Sequence, residues 1–590
     1  MRAFMQARAY LAAGLICACA ILLAACGGGG GSNSTSLPAT PPNVDPLSSA
    51  QPSASPRAGV TPSPTPSPAL SATPMPVATL APISTGPGGV GWAPYAIAHA
   101  FAYPVQSGFN GAGVTMAVIN DYPPQAGDLS TFFAQFGITR SGTLQVKNID
   151  GGSSQNDQSG QLESTLDVET MGALAPGANI IYYATPDLSA QSLLDAYNSV
   201  LSDGAAQVVD LSYGGCEASV ERSGDNALFA QAAAQGIAFV AAAGDWGDEC
   251  FDVLGNHFGV NYPASDPNVI GVGGTETAAN SCGNGTIASQ VAFNDRCRTG
   301  GVQEATGGGV SSMFTLPSYQ AGLGASVAYR NVPDVAMPAA GAATYLNGSW
   351  TLISGTSWGA PQIAAMVAEL YQYCNGPLTP PIDLFYNAYH AAHYDDFIAV
   401  TTGNNEYGSD PTYFAANGDF SDVSGIGEPL GMRVALSVCP NRTPASAARG
   451  VRGTVALARA GAAQPTQLEN VPNVRALRDL GRRSNDAQTR IVVVLRATST
   501  VAESEQAAIS SLTSAGFSIL STYSNHLVID AQAPGSVVAS YFQTEIHDFA
   551  QGRYGTRYAN VDPDVVPAAI APYVQSVVTQ NLITAIPMNR

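Results

Sequence analysis

Charge is scarce in this 590-residue chain. Only 11% of the residues are charged, and 43 acidic side chains outnumber 23 basic ones to give a net charge of −20. That balance repels nucleic acid and anionic membrane surfaces, so neither is expected to bind it directly. It suits an acid environment, where protonating carboxylates removes repulsion. Past the N-terminus no apolar run is long enough to span a bilayer. The cysteines form no CxxC pair and no cluster with histidine, so no zinc site is expected. Histidine is limited to His99, His257, His390, His393, His526 and His547, and no internal repeat is visible. Apolar residues are plentiful at 45%, and the length exceeds what one hydrophobic core supports, so at least two domains are expected.

The N-terminus reads as an export signal over 1–26. Arg2 and Arg8 precede an apolar run from Tyr10 to Leu23, too short for a stable span and right for a signal peptide. It ends in Leu23-Ala24-Ala25-Cys26, which resembles the bacterial lipobox, where the cysteine is acylated. The competing reading is an ordinary signal peptide with a chance cysteine, but the glycine run Gly27 to Gly31 looks like a lipoprotein tether. The expectation is a protein exported from a bacterium, anchored to the envelope through lipid on Cys26 or secreted. Cys17 and Cys19 leave with the signal. Cys216, Cys250, Cys282, Cys297, Cys374 and Cys439 remain, an even set that suggests three disulfides in an exported chain. Their connectivity is open. Cys282–Cys297 would be local, Cys216–Cys250 would join two loops and Cys374–Cys439 would close a domain.

Residues 27–88 are rich in Pro, Ser, Thr, Ala and Gly without hydrophobic period, and read as an extended spacer. From 89 to 440 short apolar strands alternate with helices. Strands are expected near Val114–Ile119, Asn179–Tyr183, Gln207–Leu211 and Ile237–Ala243, and helices at Gln161–Leu174, Leu193–Leu201 and Asn226–Gln235. That rhythm implies an α/β domain with a mostly parallel sheet covered by helices on both faces. Residues 441–485 lose the pattern and read as a linker. From 486 to 590 a compact α+β unit in the order βαββαβ follows, with its last strand at Ile546–Phe549, implying a small two-layer, ferredoxin-like sandwich.

Three segments carry the chemistry. Ser354-Gly355-Thr356-Ser357-Trp358-Gly359-Ala360-Pro361 opens an apolar helix, so Ser357 would sit at a helix mouth where N–H groups face a developing oxyanion. A serine nucleophile needs a base, and no histidine lies in a strand-helix context suited to that role. The helix at 161–174 offers Glu163 and Asp167 instead. Four residues apart on one face of an otherwise apolar helix, they can share a proton, with Asp167 orienting Glu163. The third segment, Ala241-Ala-Ala-Gly244-Asp245, ends a buried strand, the edge where ligand chemistry gathers in open α/β sheets. Asp245 held protonated would donate to the oxyanion; the alternative is an Asx turn.

In chain order, E-x-x-x-D in a helix ending A-L-A-P-G-A, then A-A-A-G-D, then S-G-T-S-x-x-x-P, the three segments resemble the sedolisin family of serine-carboxyl peptidases, over roughly residues 90–438. Leu211-Ser-Tyr-Gly-Gly215, Gly307-Gly-Gly-Val-Ser311 and Val332-Pro-Asp-Val-Ala336 add weaker echoes. The resemblance implies a subtilisin-like fold and acid-acting peptide hydrolysis through an acyl-enzyme. Ser357 would be the nucleophile, Glu163 the base, Asp167 its partner and Asp245 the oxyanion donor. It also implies a calcium site, but Ala399 and Ser421 stand at its two carboxylate positions, so the site is expected to be lost and no cofactor is needed. Asp419 and Asp422 are candidates for a displaced site, which is not expected. Tyr213 replaces a usual tryptophan and Asn120 a frequent acidic residue, and both are expected to touch the carboxylates. Residues 512–574 resemble the second part of a sedolisin prodomain, placed here after the enzyme, where it would chaperone or inhibit; an unrelated accessory domain is the other reading. Protein or peptide substrates and a monomer are expected. A surface lipoprotein that binds peptides without cutting them, and a histidine-dependent protease, are the competing functions.

Overall fold

The computed structural model describes residues 91–440 and 471–588, apart from short stretches at 155–157, 219–222, 252–253, 255–258, 278–289, 295–302 and 409–412. The expected signal peptide, Cys26, the spacer, most of the 441–485 stretch, Cys282, Cys297 and His257 lie outside these residues. No described helix is long and apolar enough to cross a membrane.

The first strands are β1 (Thr115–Asn120), β2 (Leu144–Asn148), β3 (Asn179–Ala184), β4 (Val208–Leu211), β5 (Tyr213–Cys216), β6 (Ala238–Ala242), β7 (Val269–Thr277) and β8 (Val335–Pro338). All but β5 join one sheet, parallel in the order β8-β7-β6-β4-β1-β3-β2, with Gln290–Ala292 added antiparallel to the end of β7. Because successive side chains point to opposite faces, Met116 and Val118 of β1 enter one core and Ala117 and Ile119 the other. Helices α1 (Gln158–Leu174) and α4 (Thr356–Cys374) fill the first core, with α2 (Ala190–Asp203) and α3 (Ser223–Ala234) in the second. Both faces are therefore covered, which is why these strands read as nearly unbroken apolar runs. The disulfides Cys216–Cys250 and Cys374–Cys439 form as expected.

The C-terminal unit contains β9 (Gln488–Leu495), α5 (Val501–Ser514), β10 (Ser518–Thr522), β11 (Val528–Pro534), α6 (Gly535–Tyr541) and β12 (Val574–Val578). Its antiparallel sheet runs β10-β11-β9-β12, the strand arrangement of a ferredoxin-like sandwich. One element differs from expectation. The strand at Ile546–Ala550 forms, but it pairs with Arg478–Arg482 and Thr556–Asn560 in a separate sheet, and β12 takes the position beside β9. Arg478–Arg482 lies within the stretch read as linker; it is mostly exposed and polar, so no hydrophobic alternation marks it.

The run Ile491-Val-Val-Val-Leu495 shows how this unit docks. Ile491, Val493 and Leu495 pack inside it, whereas Val492 and Val494 join the second core beside Leu194 and Tyr197 of α2. Arg490 bridges the same boundary, with Nη2 contacting Asp195 of α2 and Asp150 (2.8 Å), and Nε contacting Asp530 of β11 at 2.7 Å. Tyr523 Oη donates to Asp195 at 2.9 Å. Burial pushes the Asp195 carboxyl well up in pKa while Arg490 pulls it down. From β12 the chain returns across the first domain: Ile583 bridges Ser189, and β13 (Ile586–Pro587) pairs antiparallel with β5.

Candidate active site

Helix α4 begins at the candidate nucleophile because of what precedes and follows it. Gly355, its N-cap, has φ +140°, and a Cβ there would lie 2.6 Å from Asp245 Oδ2 and 3.3 Å from Ser357 Oγ, so only glycine fits. Four residues after Ser357, Pro361 has no N–H to give, which frees the Ser357 carbonyl from the helix ladder. Ser212 Oγ donates to that carbonyl instead, at 3.2 Å. On the other side Thr356 N–H donates to Asp245 Oδ1 at 2.7 Å, and Thr356 Oγ1 accepts from Gly244 N at 3.0 Å. The loop after β6 is thus fastened to the mouth of α4, bringing Asp245 beside Ser357.

Helix α1 packs against α4. Between Glu163 and Met171 every residue is buried, confirming that the carboxyl pair does not lie on a solvated face. The neighbouring Ser357 hydroxyl favours the ionised form of Glu163, although its Oγ makes no hydrogen bond of ordinary geometry. Burial outweighs this and raises the Glu163 pKa well above the ordinary range, helped by the negative fields of Asp167, Asp210 and Asp245. Burial likewise drives Asp167 up, opposed by contacts from Ser212, Glu163 and Asp210. Isolated anions buried this deeply are costly, so the raised values favour keeping protons among these carboxyls over a full set of negative charges. Ser357, Glu163, Asp167 and Asp245 are thereby brought together, and no histidine is among the groups acting on Glu163 within the described residues.

Asp210 of β4 was not expected here. It is fully buried, Ser212 Oγ donates to its Oδ2 at 3.5 Å, and burial followed by the Asp167 charge raises its pKa strongly. The available signal was one acid in an otherwise apolar strand. Of the two substituted positions, Tyr213 feels the charges of Asp210 and Asp167, but its hydroxyl donates to Tyr197 Oη at 3.3 Å. Asn120 instead accepts from Asp121 N at 2.8 Å, because its carboxamide turns to the loop after β1.

The two positions of the implied cation site lie on adjoining segments, since Phe397–Ile398 pairs with Glu428–Pro429. Their donors do not fit a hard cation. Ala399 has none in its side chain, and the Ser421 hydroxyl is bonded to that of Ser424 at 2.9 Å. Asp419 Oδ1 is taken by Tyr389 Oη at 2.7 Å and Asp422 Oδ2 by Ala325 N at 3.3 Å. The region contains neutral acids instead: burial lifts Asp422 to about 7 and Glu428, which accepts from Thr275 Oγ1 at 2.5 Å, to about 8.

The fold and site define a subtilisin-like α/β scaffold in which buried carboxyls surround the serine. Comparison with known proteins agrees. A family model described as the subtilase family matches residues 149–408, and one described as the pro-kumamolisin activation domain matches residues 484–582. Kumamolisin of Bacillus sp. (strain MN-32) is 32% identical over 60% of this chain and 65% of its own length. Sedolisin of Pseudomonas sp. (strain 101) is 33% identical over 48% of this chain and 50% of its own. Xanthomonalisin of Xanthomonas sp. (strain T-22) is 32% identical over 51% and 40%. The chain thus spans between 40% and 65% of the length of these relatives. The structure of Pseudomonas sedolisin, a serine-carboxyl proteinase, complexed with two molecules of pseudo-iodotyrostatin superposes with a TM-score of 0.51 at 27% identity, covering 60% of this chain and 98% of that one. The chain is similar to the sedolisin family in sequence and fold, with a unit like the pro-kumamolisin activation domain at its C-terminal side.

The neutral acids at 422 and 428 set a pH dependence. The folded Glu428 value of about 8 exceeds its ordinary 4.5, so its contribution to stability is complete below about 4.5 and is lost as pH rises towards 8. Asp422 acts in the same direction up to about 7. Melting temperature is expected to fall between those limits, and Glu428→Gln to flatten the fall; an equally steep decline in the variant would contradict this.

Proposed function

We propose that this protein is an acid-acting serine-carboxyl endopeptidase that hydrolyses proteins or peptides through an acyl-enzyme on Ser357. The observation that carries this reading is the fully buried Glu163 carboxyl beside Ser357, with Asp245 fastened to the same helix mouth. In the proposed sequence Glu163 takes the Ser357 proton as the hydroxyl attacks the peptide carbonyl. It then gives that proton to the departing amine, and takes another from the water that clears the acyl-enzyme. Asp167, next to Asp210, holds a compensating proton, so that Glu163 changes charge without leaving an isolated anion in the interior. Asp245, protonated on the oxygen not bonded to Thr356 N–H, donates to the oxyanion.

The reaction needs one carboxyl ionised and another protonated, so the rate falls at high pH as the donor is lost and at low pH as the base is filled. Ser357→Ala should abolish hydrolysis of a peptide library in acid, and Glu163→Gln should lower kcat by about 10⁴. Asp245→Ala should cost about 10²–10³ in kcat, whereas Asp245→Asn, which keeps a donor, should lose less and shift or remove the alkaline limb. Indistinguishable digests from wild type and Ser357→Ala would instead mark a chain that binds peptides without cutting them.

We further propose that the fold needs no calcium, supported by the donor chemistry at Ala399 and Ser421. Titrating micromolar calcium should leave the melting temperature unmoved, and a large upward shift would reject this. Export with lipid on Cys26 is supported by the lipobox-like sequence and by two disulfides, which persist in oxidising compartments. Cys26→Ala should move the protein from the membrane to the soluble fraction; unchanged partition would rule the anchor out.

A further inference from the structure

Ser212 stands between the buried acids and the backbone of the nucleophile. Along β4 the side chains alternate between faces. Val208 packs in the first core, Val209 and Leu211 in the second, so Asp210 points towards α1 and α4. It sits there with no exposure to solvent, opposite Val118 of β1 and Val240 of β6. Two residues on, the Ser212 hydroxyl reaches two acceptors, the Ser357 carbonyl at 3.2 Å and Asp210 Oδ2 at 3.5 Å. A serine has one hydroxyl proton, so it serves only one of them at a time. Pro361 has no N–H to offer the Ser357 carbonyl, which makes the choice matter at the mouth of α4. Asp210 Oδ1 makes no hydrogen bond of ordinary geometry, so a proton can reside on it without displacing a donor.

We infer that Ser212 is a positioning residue whose single hydroxyl proton alternates between the Ser357 carbonyl and Asp210, so that the mouth of α4 senses whether Asp210 carries a proton. This rests on the peptidase reading above. With Asp210 protonated, both acceptors are neutral, and the hydroxyl holds the nearer one, fixing the backbone from which Ser357 Oγ attacks. With Asp210 ionised, the carboxylate attracts the hydroxyl more strongly than a neutral carbonyl does, and the Ser357 carbonyl loses its donor. The shorter distance to the carbonyl is the geometry of the protonated state. The groups facing Asp210 are Asp167 and Glu163 of α1 and Tyr213 just after β4, with Asp245 acting on the same Glu163. The flanking strands β1 and β6 carry no titratable residue. All the facing groups are acids, and a negative charge on Asp167 favours a proton on Asp210. Activity is therefore lost at high pH in two ways: Asp245 ceases to donate to the oxyanion, and Asp210 draws Ser212 away from the nucleophile's backbone.

The test is the pH profile of peptide hydrolysis by the full chain, by Ser212→Ala, by Asp210→Asn and by the two combined, with melting temperatures alongside. Ser212→Ala should lower kcat at the optimum by about tenfold, as expected for one lost hydrogen bond, with KM little changed. Ser212→Thr, which keeps a hydroxyl, should restore most of that rate. Ser212→Ala and Asp210→Asn should each move the alkaline limb upward by about half a pH unit or more, and the double variant should move it no further than either alone. Shifts that add in the double variant overturn the inference, as do limbs that stay in place while only the melting temperatures fall. A folded Ser212→Thr as slow as Ser212→Ala also overturns it. If the wild type hydrolyses no peptide at any pH, the peptidase reading fails, and this inference with it.

Discussion

The structure turns on carboxyl groups packed together in the interior of the first domain. Glu163, Asp167, Asp210 and Asp245 are all buried near Ser357, and burial is the largest cause raising the first three. A set of isolated anions in that setting would carry a prohibitive desolvation cost, so protons must stay among them. Everything around the site serves to hold the oxygens close enough for that sharing. The Pro361 gap that frees a carbonyl for Ser212, the Thr356 contacts that seat Asp245 and the all-round burial of α1 are three such devices.

The second unit depends on a different balance. Arg490 is placed among Asp150, Asp195 and Asp530, so the boundary between the units combines apolar packing by Val492 and Val494 with one buried ion cluster. Three carboxylates so close could suggest a metal, but the guanidinium already fills that electrostatic role. The same boundary positions the return of the chain past the start of α2 to β5, so docking of the sheet and pairing with β5 belong to one arrangement.

Most of this was legible in the residues. The periodic apolar strands, the helix carrying Glu163 and Asp167 and the glycine-bounded turn at Ser357 are local signals, and each element formed within a few residues of its expected bounds. What escaped was non-local. Asp210 looked like one polar interruption in a strand, because only the folded sheet shows that it lies next to Asp167. Arg478–Arg482 has no hydrophobic pattern, since its strand identity comes wholly from its partner at Ile546–Ala550. The terminal strand is only two residues long and carries a proline, so nothing short of its pairing with β5 marks it.

The unbroken Ile491–Leu495 run has a consequence for the lifetime of the second unit. A strand apolar on both faces is comfortable only while both are covered, and one of its covers is the first domain. Once parted from it, the small sandwich would present Val492, Val494, Val528 and Val578 to water as a contiguous sticky patch. Such a fragment tends to self-associate or be degraded rather than return, which would make separation a one-way event.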